Sequence, residues 1–389
     1  MSFCGVTTTW AQHLTTWAVE EVAEFVDEDK NGVIDMACDE ELIVVGLSGW
    51  SGEAKVYDIK TGEKKFVLKS NTLGDTPAPF SHDNILVWLG KSIIVTIGTN
   101  DNTLSIWDRS GTLLAQDLHK DNKKIADMKR IQEMEDEEKE AYFEEKTANM
   151  SEEEKYGFMM QIAFGVVPNE KKLVSLEVKE DMIYGGFDGG FFVIGNVDGE
   201  WKIVKEVKLG YEVDEIKVAG HWIAIGKVSE GKKVFGLWDP ELGLNDLNAE
   251  LKYFRSCEFI YPHIFMIGGR GDVDKTGVEI WNVEKGEMVR HLLKGEKRYE
   301  YIKTNGKFLA VCEHINSWTS GEEKMLKLAV YNVDQILDQD VPEARLWSEC
   351  FEYSTLDLGS EHIRAVFNEK NLIVNHGRTK FSIMDIIKK

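Results

Sequence analysis

One run of the sequence has the spacing of a metal-binding loop. Positions 27–35 read Asp-Glu-Asp-Lys-Asn-Gly-Val-Ile-Asp, and the residues with oxygen ligands at positions 1, 3, 5 and 9 are Asp27, Asp29, Asn31 and Asp35. Calcium requires several oxygen atoms around one point, and alternate acidic residues with a glycine turn can supply them. The motif therefore predicts a candidate calcium site, and calcium is the one cofactor that the sequence suggests.

The same residues also read as an ordinary tight turn in front of a strand. The run resembles the opening of an EF-hand loop and the nine-residue calcium loops of integrin-type propellers, but Cys38 stands where an EF-hand requires a bidentate glutamate. Lys30-Asn31-Gly32 is typical of a hairpin turn, and Val33-Ile34 of the strand that follows. We favour the turn, and a calcium-dependent binder stays open as an alternative.

A second set of candidate residues lies on predicted loops between strands. These partner-binding candidates are Trp50, Asp101, Asp188, Lys232, Arg270, His314, Trp318, His376 and Arg378. Exposed Trp and Arg side chains are the types that dominate binding energy at protein interfaces. We predict a shared binding surface from this set, while the alternative is that the tryptophans cover the cores of their own loops.

Motifs of known enzymes are missing from the sequence. It holds no GxSxG, HExxH or phosphate-binding loop, and its nine histidines are dispersed. We therefore predict a protein that is not an enzyme. An active site assembled from residues far apart in the sequence is the less favoured alternative.

The overall charge bears on the class of partner. With 68 acidic and 46 basic residues, the formal net charge is −22. Such a charge repels phosphate groups, so neither nucleic acid nor an anionic membrane is an expected partner.

The cysteines and the hydropathy indicate a compartment. Five cysteines are scattered without CxxC spacing, which favours free thiols in a reducing environment. No apolar run approaches the length of a membrane span, and the N-terminus lacks the pattern of a signal peptide. The expected location is cytoplasmic.

A recurring sequence pattern, called a phrase below, predicts the strands that must position these residues. An alternating apolar run ends in Asp or Asn seven times, at Asp58, Asp108, Asn196, Asp239, Asn282, Asn332 and Asp385. Repeats of about 40–50 residues with several short strands each are typical of a β-propeller. The sequence thus predicts a single all-β domain over residues 1–389, a seven-bladed propeller.

The two ends of the chain complement each other. The last repeat ends soon after its third strand, and an extra strand is predicted near the N-terminus, at Leu14–Phe25. Pairing this strand with the last blade would close the ring and leave no free sheet edge there.

The longest spacing between phrases contains an acidic helical insertion between blades 2 and 3, residues 119–169. The composition of Lys123–Lys146 predicts one helix, and Ser151 with Glu154 forms a capping box in front of a second helix. That helix has an apolar face made of Tyr156, Met159, Met160, Ala163 and Phe164. We favour packing of this face on the propeller. Recruitment of a partner by that face, or of a basic partner by the acidic helix, is the alternative.

The phrases Ile106-Trp107-Asp108 and Leu237-Trp238-Asp239 resemble those of the WD-repeat family, and Asp101 and Asp188 match the family's aspartate before the third strand. The resemblance implies a non-catalytic scaffold or adaptor, monomeric on its own, that binds a protein or peptide partner on its top face and near the insertion. An alternative that it implies is a substrate receptor of a ubiquitin ligase, like the F-box/WD-repeat proteins. The adaptor-binding Trp-Asp-x-Arg pattern of those proteins is approached by Tyr57-Asp58-Ile59-Lys60 and by Trp107-Asp108-Arg109.

Overall fold

A computed structural model describes most of the chain. The described residues are 17–26, 32–49, 53–69, 83–99, 102–120, 122–164, 172–229, 232–239, 243–251, 254–268, 277–292, 298–314, 324–338, 345–353, 364–376 and 380–388.

The strands form seven antiparallel blades, and a short pairing of Ser48 and Gly49 with Asn84 and Asp83 joins blades 1 and 2 into one eight-stranded sheet. Before the first blade comes β1 (Trp17–Val26). Blades 1 and 2 contain β2 (Val33–Cys38), β3 (Leu42–Gly49), β4 (Glu53–Asp58), β5 (Lys64–Lys69), β6 (Asp83–Leu89), β7 (Ile93–Gly98), β8 (Leu104–Asp108) and β9 (Leu113–Gln116). Blades 3 and 4 contain β10 (Leu173–Lys179), β11 (Met182–Val197), β12 (Glu200–Glu212), β13 (Glu215–Ala219), β14 (Trp222–Ser229), β15 (Lys232–Asp239) and β16 (Gly243–Leu251).

The remaining strands form blades 5 to 7. They are β17 (Phe254–Ile260), β18 (His263–Gly268), β19 (Gly277–Asn282), β20 (Glu287–Leu292), β21 (Arg298–Thr304), β22 (Phe308–His314), β23 (Lys324–Asn332), β24 (Arg345–Tyr353), β25 (Arg364–Phe367), β26 (Asn371–His376) and β27 (Lys380–Lys388). This arrangement confirms the predicted all-β, seven-bladed propeller.

Two details depart from a plain four-strand blade. In blade 3, β11 takes the place of two strands: its first part pairs with β10 and its second part with β12. Between the two parts the chain passes through Gly189 and Gly190, which have φ values of 106° and 156°. In the last blade, β1 runs antiparallel to β27, with Trp17 opposite Lys388 and Val26 opposite Lys380.

The recurring polar residue has a structural role, because it caps the turn that follows its strand. Asp108 Oδ1 accepts hydrogen bonds from the backbone N–H groups of Ser110 and Thr112, at 2.9 and 2.8 Å. Asp58 Oδ1 likewise accepts hydrogen bonds from the backbone N–H groups of Lys60 and Thr61, at 2.9 and 3.1 Å. Asp and Asn are favoured there because their short side chains reach backbone donors two to four residues onward.

The apolar core is divided among the boundaries between blades. Seven clusters of buried side chains occur among the described residues, and each joins two neighbouring blades. One of them connects the last blade to the first: Ile373 and Phe381 pack with Ile43 and Tyr57, and the rings of Tyr57 and Phe381 lie 6.2 Å apart. The core therefore runs around the whole ring.

The two ends of the ring differ. Each innermost strand begins at one end, here called the upper end, and is followed by a tight turn at the opposite, lower end. The lower turns are tied to one another: Asn305 Nδ2 donates to Asn368 O at 2.8 Å, and Asn368 Nδ2 donates to Asp39 O at 3.0 Å. Between blades 2 and 3, Ser92 Oγ donates to Asp181 Oδ2 at 2.5 Å.

Four helices complete the described structure: α1 (Asn122–Glu133), α2 (Asp136–Thr147), α3 (Glu152–Phe164) and α4 (Val333–Asp338). The first three connect β9 to the start of β10, so they leave the ring at its upper end. The prediction of one helix over 123–146 was wrong, because the chain is extended at Glu135 and a new helix begins after it. Its first turn holds Asp136, Glu137 and Glu138, and acidic residues stabilise the N-terminus of a helix.

Candidate functional site

The axis of the ring contains a channel of about 540 Å³, lined largely by the innermost strands. One residue from each of these strands occupies an equivalent position, in the third residue pair from the lower turn when the pair that closes the turn is counted as the first. This inner ring consists of Ala37, Trp88, Glu177, Lys217, Glu258, Lys303 and Val366. Its character changes around the axis: blades 7, 1 and 2 contribute apolar side chains, and blades 3 to 6 contribute charged ones.

The four charged members alternate in sign and form ion pairs across blade boundaries. Lys217 Nζ lies 3.4 Å from Glu177 Oε2 and 3.8 Å from Glu258 Oε1. Lys303 Nζ lies 3.4 Å from Glu258 Oε1. One continuous charged arc, Glu177 to Lys303, therefore spans four blades.

Burial and charge act on the pKa values of this arc. Burial alone would lower the pKa of Lys217, but the carboxylates of Glu177 and Glu258 hold it well above its usual value. Burial raises the pKa of Glu177, and the Lys217 ammonium opposes that shift. At neutral pH Lys217 is therefore a cation whose charge is compensated inside the channel.

A second ring lies two residues closer to the upper end on each inner strand, and alternate residues of a strand face the same side. This upper ring consists of Asp35, Leu86, Ser175, Glu215, Ser256, Tyr301 and Arg364. It offers hydroxyl groups and charges of both signs, so it can contact a polar ligand that enters from the upper end.

The root of the helical insertion is fixed by a buried polar network. Lys120 Nζ lies 3.0 Å from Asp117 Oδ1, and both side chains are almost completely buried. Asn102 joins this network to blade 3: its amide accepts from Leu173 N at 2.8 Å, and its Oδ1 lies 3.2 Å from His119 Nε2. The insertion therefore starts from a rigid base beside the channel.

The helices of the insertion expose an acidic surface with apolar residues on it. Ser151 Oγ accepts from Glu154 N at 3.3 Å and Glu154 Oε2 accepts from Ser151 N at 2.8 Å, which confirms the capping box. The rings of Phe143 and Phe158, 6.1 Å apart, connect α2 to α3. The exposed acidic residues on or beside these helices are Asp127, Glu133, Glu135, Asp136, Glu137, Glu138, Glu140, Glu144, Glu145, Glu152, Glu153 and Glu154.

The expected packing of the α3 face on the propeller was wrong for two of its residues. Tyr156 is 60% exposed and Met159 is 43% exposed. The phenyl ring of Phe158, which was not part of the predicted face, makes the contact with α2 instead. We call the exposed pair Tyr156 and Met159, with the acidic residues around it, the α3 surface.

Most of the proposed calcium ligands, Asp27, Asp29 and Asn31, lie outside the described residues. Asp35 is described, and its Oδ2 accepts a hydrogen bond from Val87 N of blade 2 at 3.0 Å. In the described part of the chain, no group of three acidic, Cys or His residues is arranged to hold a metal ion. The calcium site stays a prediction.

The structure describes only four of the nine predicted partner-binding residues. Trp50, Asp101, Arg270, Trp318 and Arg378 lie outside the described residues. Lys232 begins β15, His314 ends β22 and His376 ends β26, each at the upper end of its strand. Asp188 lies opposite Glu212 with an exposed side chain.

Sequence reasoning missed the charged arc and Arg364. The members of the arc are 40, 41 and 45 residues apart, so no local motif contains two of them. The available signal was positional: each residue lies two positions before the residue whose backbone closes the lower turn of its blade. Aligning the repeats on these turns would have brought the four residues together.

No protein-family model matches the chain, and no curated protein matches it. Among the solved structures that resemble it is the crystal structure of Ika8, a computationally designed protein, in the packing form described as P63. The TM-score is 0.52 and the identity 12%, over 94% of this chain and 100% of that chain. At this identity the likeness concerns the fold alone. In the described part of the chain, no helix combines the length and apolar character required to cross a membrane.

Proposed function

We propose that this protein is a non-catalytic scaffold that binds a protein or peptide partner at the upper end of the propeller, with the α3 surface as a principal contact. A propeller commonly serves as an interaction platform, and it leaves function to its connecting loops. The observation that carries the proposal is the exposure of Tyr156 and Met159 on a helix that follows a rigid, buried root.

The charge of the α3 surface indicates the kind of partner. Glu152, Glu153 and Glu154 precede the exposed apolar pair on the same helix, and all three are exposed. An apolar pair within an acidic field fits a partner segment that carries apolar and basic side chains together. We propose a basic amphipathic segment of a protein, rather than nucleic acid or a membrane, and no cofactor in this interaction.

Three further features belong to the proposal. We infer that β1 completes the last blade and closes the ring, because it runs beside β27 for nearly its whole length. We propose that the chain is a divergent WD-repeat protein, on the strength of its recurring Trp-Asp phrases. We propose a reducing, cytoplasmic location because the five cysteines are scattered without CxxC spacing.

The ubiquitin-ligase alternative gains no support from Arg109, one of the two basic residues that suggested it. Arg109 Nη1 lies 2.5 Å from Asp39 Oδ2, and its Nη2 lies 3.4 Å from Glu41 Oε2. This guanidinium is thus occupied in joining blade 2 to blade 1, and we do not propose it as an adaptor contact.

Site-specific photo-crosslinking in cells tests the scaffold proposal. A photoreactive residue placed at Met159 is expected to form adducts with the partner protein. The control position is Met288, which is 47% exposed on the outer strand of blade 5. A photoreactive residue there is expected to form no adduct with the protein that is captured at position 159. The double variant Tyr156→Ser/Met159→Ser should weaken capture of the adduct partner by about tenfold or more, as expected for hot-spot residues. Identical adducts at both positions, or none at 159, would contradict the proposal.

A further inference from the structure

Arg364 differs from the other cations of the channel. Lys217 and Lys303 are both paired with glutamates of the charged arc. The guanidinium of Arg364 instead lies over the ring of Tyr301, with its central carbon 5.7 Å from the ring centroid. Its Nε is buried and has no hydrogen-bond partner among the described residues.

A small cavity beside this guanidinium is lined by hydrogen-bond donors and by one carboxylate, that of Asp35. This cavity, of about 180 Å³, is bounded by Asp35, Ser256, Tyr301, Lys303 and Arg364, and it adjoins the main channel. The hydroxyl group of Tyr301 is also buried, with the backbone N–H of Ala365 beside it, and within the part of the chain that the structure describes it has no hydrogen-bond acceptor. Buried donors without acceptors are costly, so an acceptor that enters the cavity would be stabilised by both groups.

We propose that this cavity binds a carboxylate group, presented either by a small acid or by the end of a peptide chain. The planar guanidinium matches the geometry of a carboxylate, and a charged hydrogen bond of this kind is stronger than a neutral one. The Tyr301 hydroxyl supplies a further donor from the neighbouring blade.

The acidic residues of the channel select the charge of the ligand. Asp35, Asp214 and Glu215 line the channel together with the cations. A dianion such as phosphate would meet more repulsion from these residues than a monoanion does. The small volume of the cavity also suits a single carboxylate group. This site does not depend on the α3 surface, so either proposal can fail without the other.

Saturation-transfer NMR with acetate and the full-length protein tests the site. The wild-type protein is expected to transfer saturation to the acetate methyl group in a concentration-dependent manner. Arg364→Gln should weaken acetate binding by about tenfold or more, the effect of losing a charged hydrogen bond. Tyr301→Phe, which removes one hydroxyl group, should weaken it less. Arg130→Gln removes the same charge from an exposed position on α1 and should leave binding unchanged.

The source of the carboxylate is tested with triglycine and its C-terminal amide. Binding of acetate but not triglycine would assign the cavity to small acids, and tighter binding of triglycine than of its amide would assign it to chain ends; both results support the proposal. Absence of transfer to acetate in the wild type, equal binding by Arg364→Gln, or tighter binding of inorganic phosphate than of acetate would overturn it. If Arg364→Gln does not fold, unchanged binding in both Arg364→Lys and Tyr301→Phe would overturn it as well.

Discussion

Lys217 Nζ lies 3.4 Å from Glu177 Oε2 and 3.8 Å from Glu258 Oε1, so one ammonium group connects the innermost strands of blades 3, 4 and 5. These contacts hold three separate sheets at a common height along the axis. Apolar packing between blades is tolerant of small shifts, whereas an ion pair is directional and sensitive to distance. The charged arc therefore fixes the relative positions of the blades as well as the polarity of the channel.

Replacing Lys217 tests the energetic role of the arc. Lys217→Met leaves Glu177 without its cation, and we expect the free energy of unfolding to fall by about 2 kcal/mol, less than for a fully buried pair because the site is partly hydrated. Urea unfolding at pH 7 measures the change. Lys285→Met, which removes an ammonium group that is 66% exposed, should change stability little. An equal effect of the two substitutions would show that the arc is energetically unimportant.

The same substitution has a predicted pH dependence. Since the folded-state pKa of Lys217 is raised, its contribution is fully present below the ordinary lysine pKa and is lost as pH rises through the folded value. The difference between wild type and Lys217→Met should thus stay constant from about pH 7 to pH 10 and shrink only at higher pH. A difference that disappears near neutral pH would contradict this assignment.

Arg109 and Asp39 should make stability depend on acid. Burial alone would raise the pKa of Asp39, but Arg109 and the N–H groups of Glu41 and Leu42 bring it below its usual value. A depressed aspartate pKa stabilises the fold above the unfolded value of about 3.9, and that contribution is lost as pH falls through the folded pKa. Arg109→Gln should therefore cost about 1 kcal/mol at pH 7 and much less near pH 2.5, measured by urea unfolding.

The exposed pair Arg130 and Asp127 provides the control for that experiment. Their charged atoms are 3.8 Å apart and both side chains are more than half exposed, so Arg130→Gln should leave the pH profile unchanged. The interpretation fails if Arg109→Gln is equally destabilising at both pH values.

Two glycines should respond to alanine in opposite directions. A Cβ atom on Gly46 would lie 1.9 Å from Ile85 O, because blades 1 and 2 approach closely there. Gly46→Ala is expected to destabilise the protein by about 3 kcal/mol, measured by urea unfolding. A Cβ atom on Gly157 of α3 has no neighbour within 4 Å among the described atoms, so Gly157→Ala should stabilise the helix by about 1 kcal/mol, seen as slower amide exchange in α3. If both substitutions changed stability in the same direction, the close approach of blades 1 and 2 at Gly46 would be contradicted.

The capping box of α3 gives a prediction for the insertion alone. Ser151→Ala removes the hydroxyl that accepts from Glu154 N and should weaken α3 by about 1 kcal/mol. The measurement is faster amide exchange over Glu152–Lys155, with no change in the strands. Asn149→Ala, an exposed position outside the helix, serves as the control and should have no effect.

The repeats could be predicted because Asp58 and Asp108 must cap a turn at the same place in each blade, and such a local requirement leaves a periodic pattern in the sequence. The charged arc of the channel could not be predicted from the sequence. Connections of different length separate Glu177, Lys217 and Glu258, and these residues come into contact only in the closed ring. For α3, periodicity identified an apolar face but not what covers it. Tyr156 is exposed because Phe158 supplies the contact with α2.

The distribution of apolar side chains at seven boundaries has a consequence for how the molecule comes apart. In an open array the terminal repeat borders one neighbour and can fray while the rest stays folded. Here Ile373 and Phe381 join the last blade to the first, so every blade borders two neighbours. Loosening any single blade must therefore rupture two interfaces at once, and we expect the propeller to melt in one concerted transition.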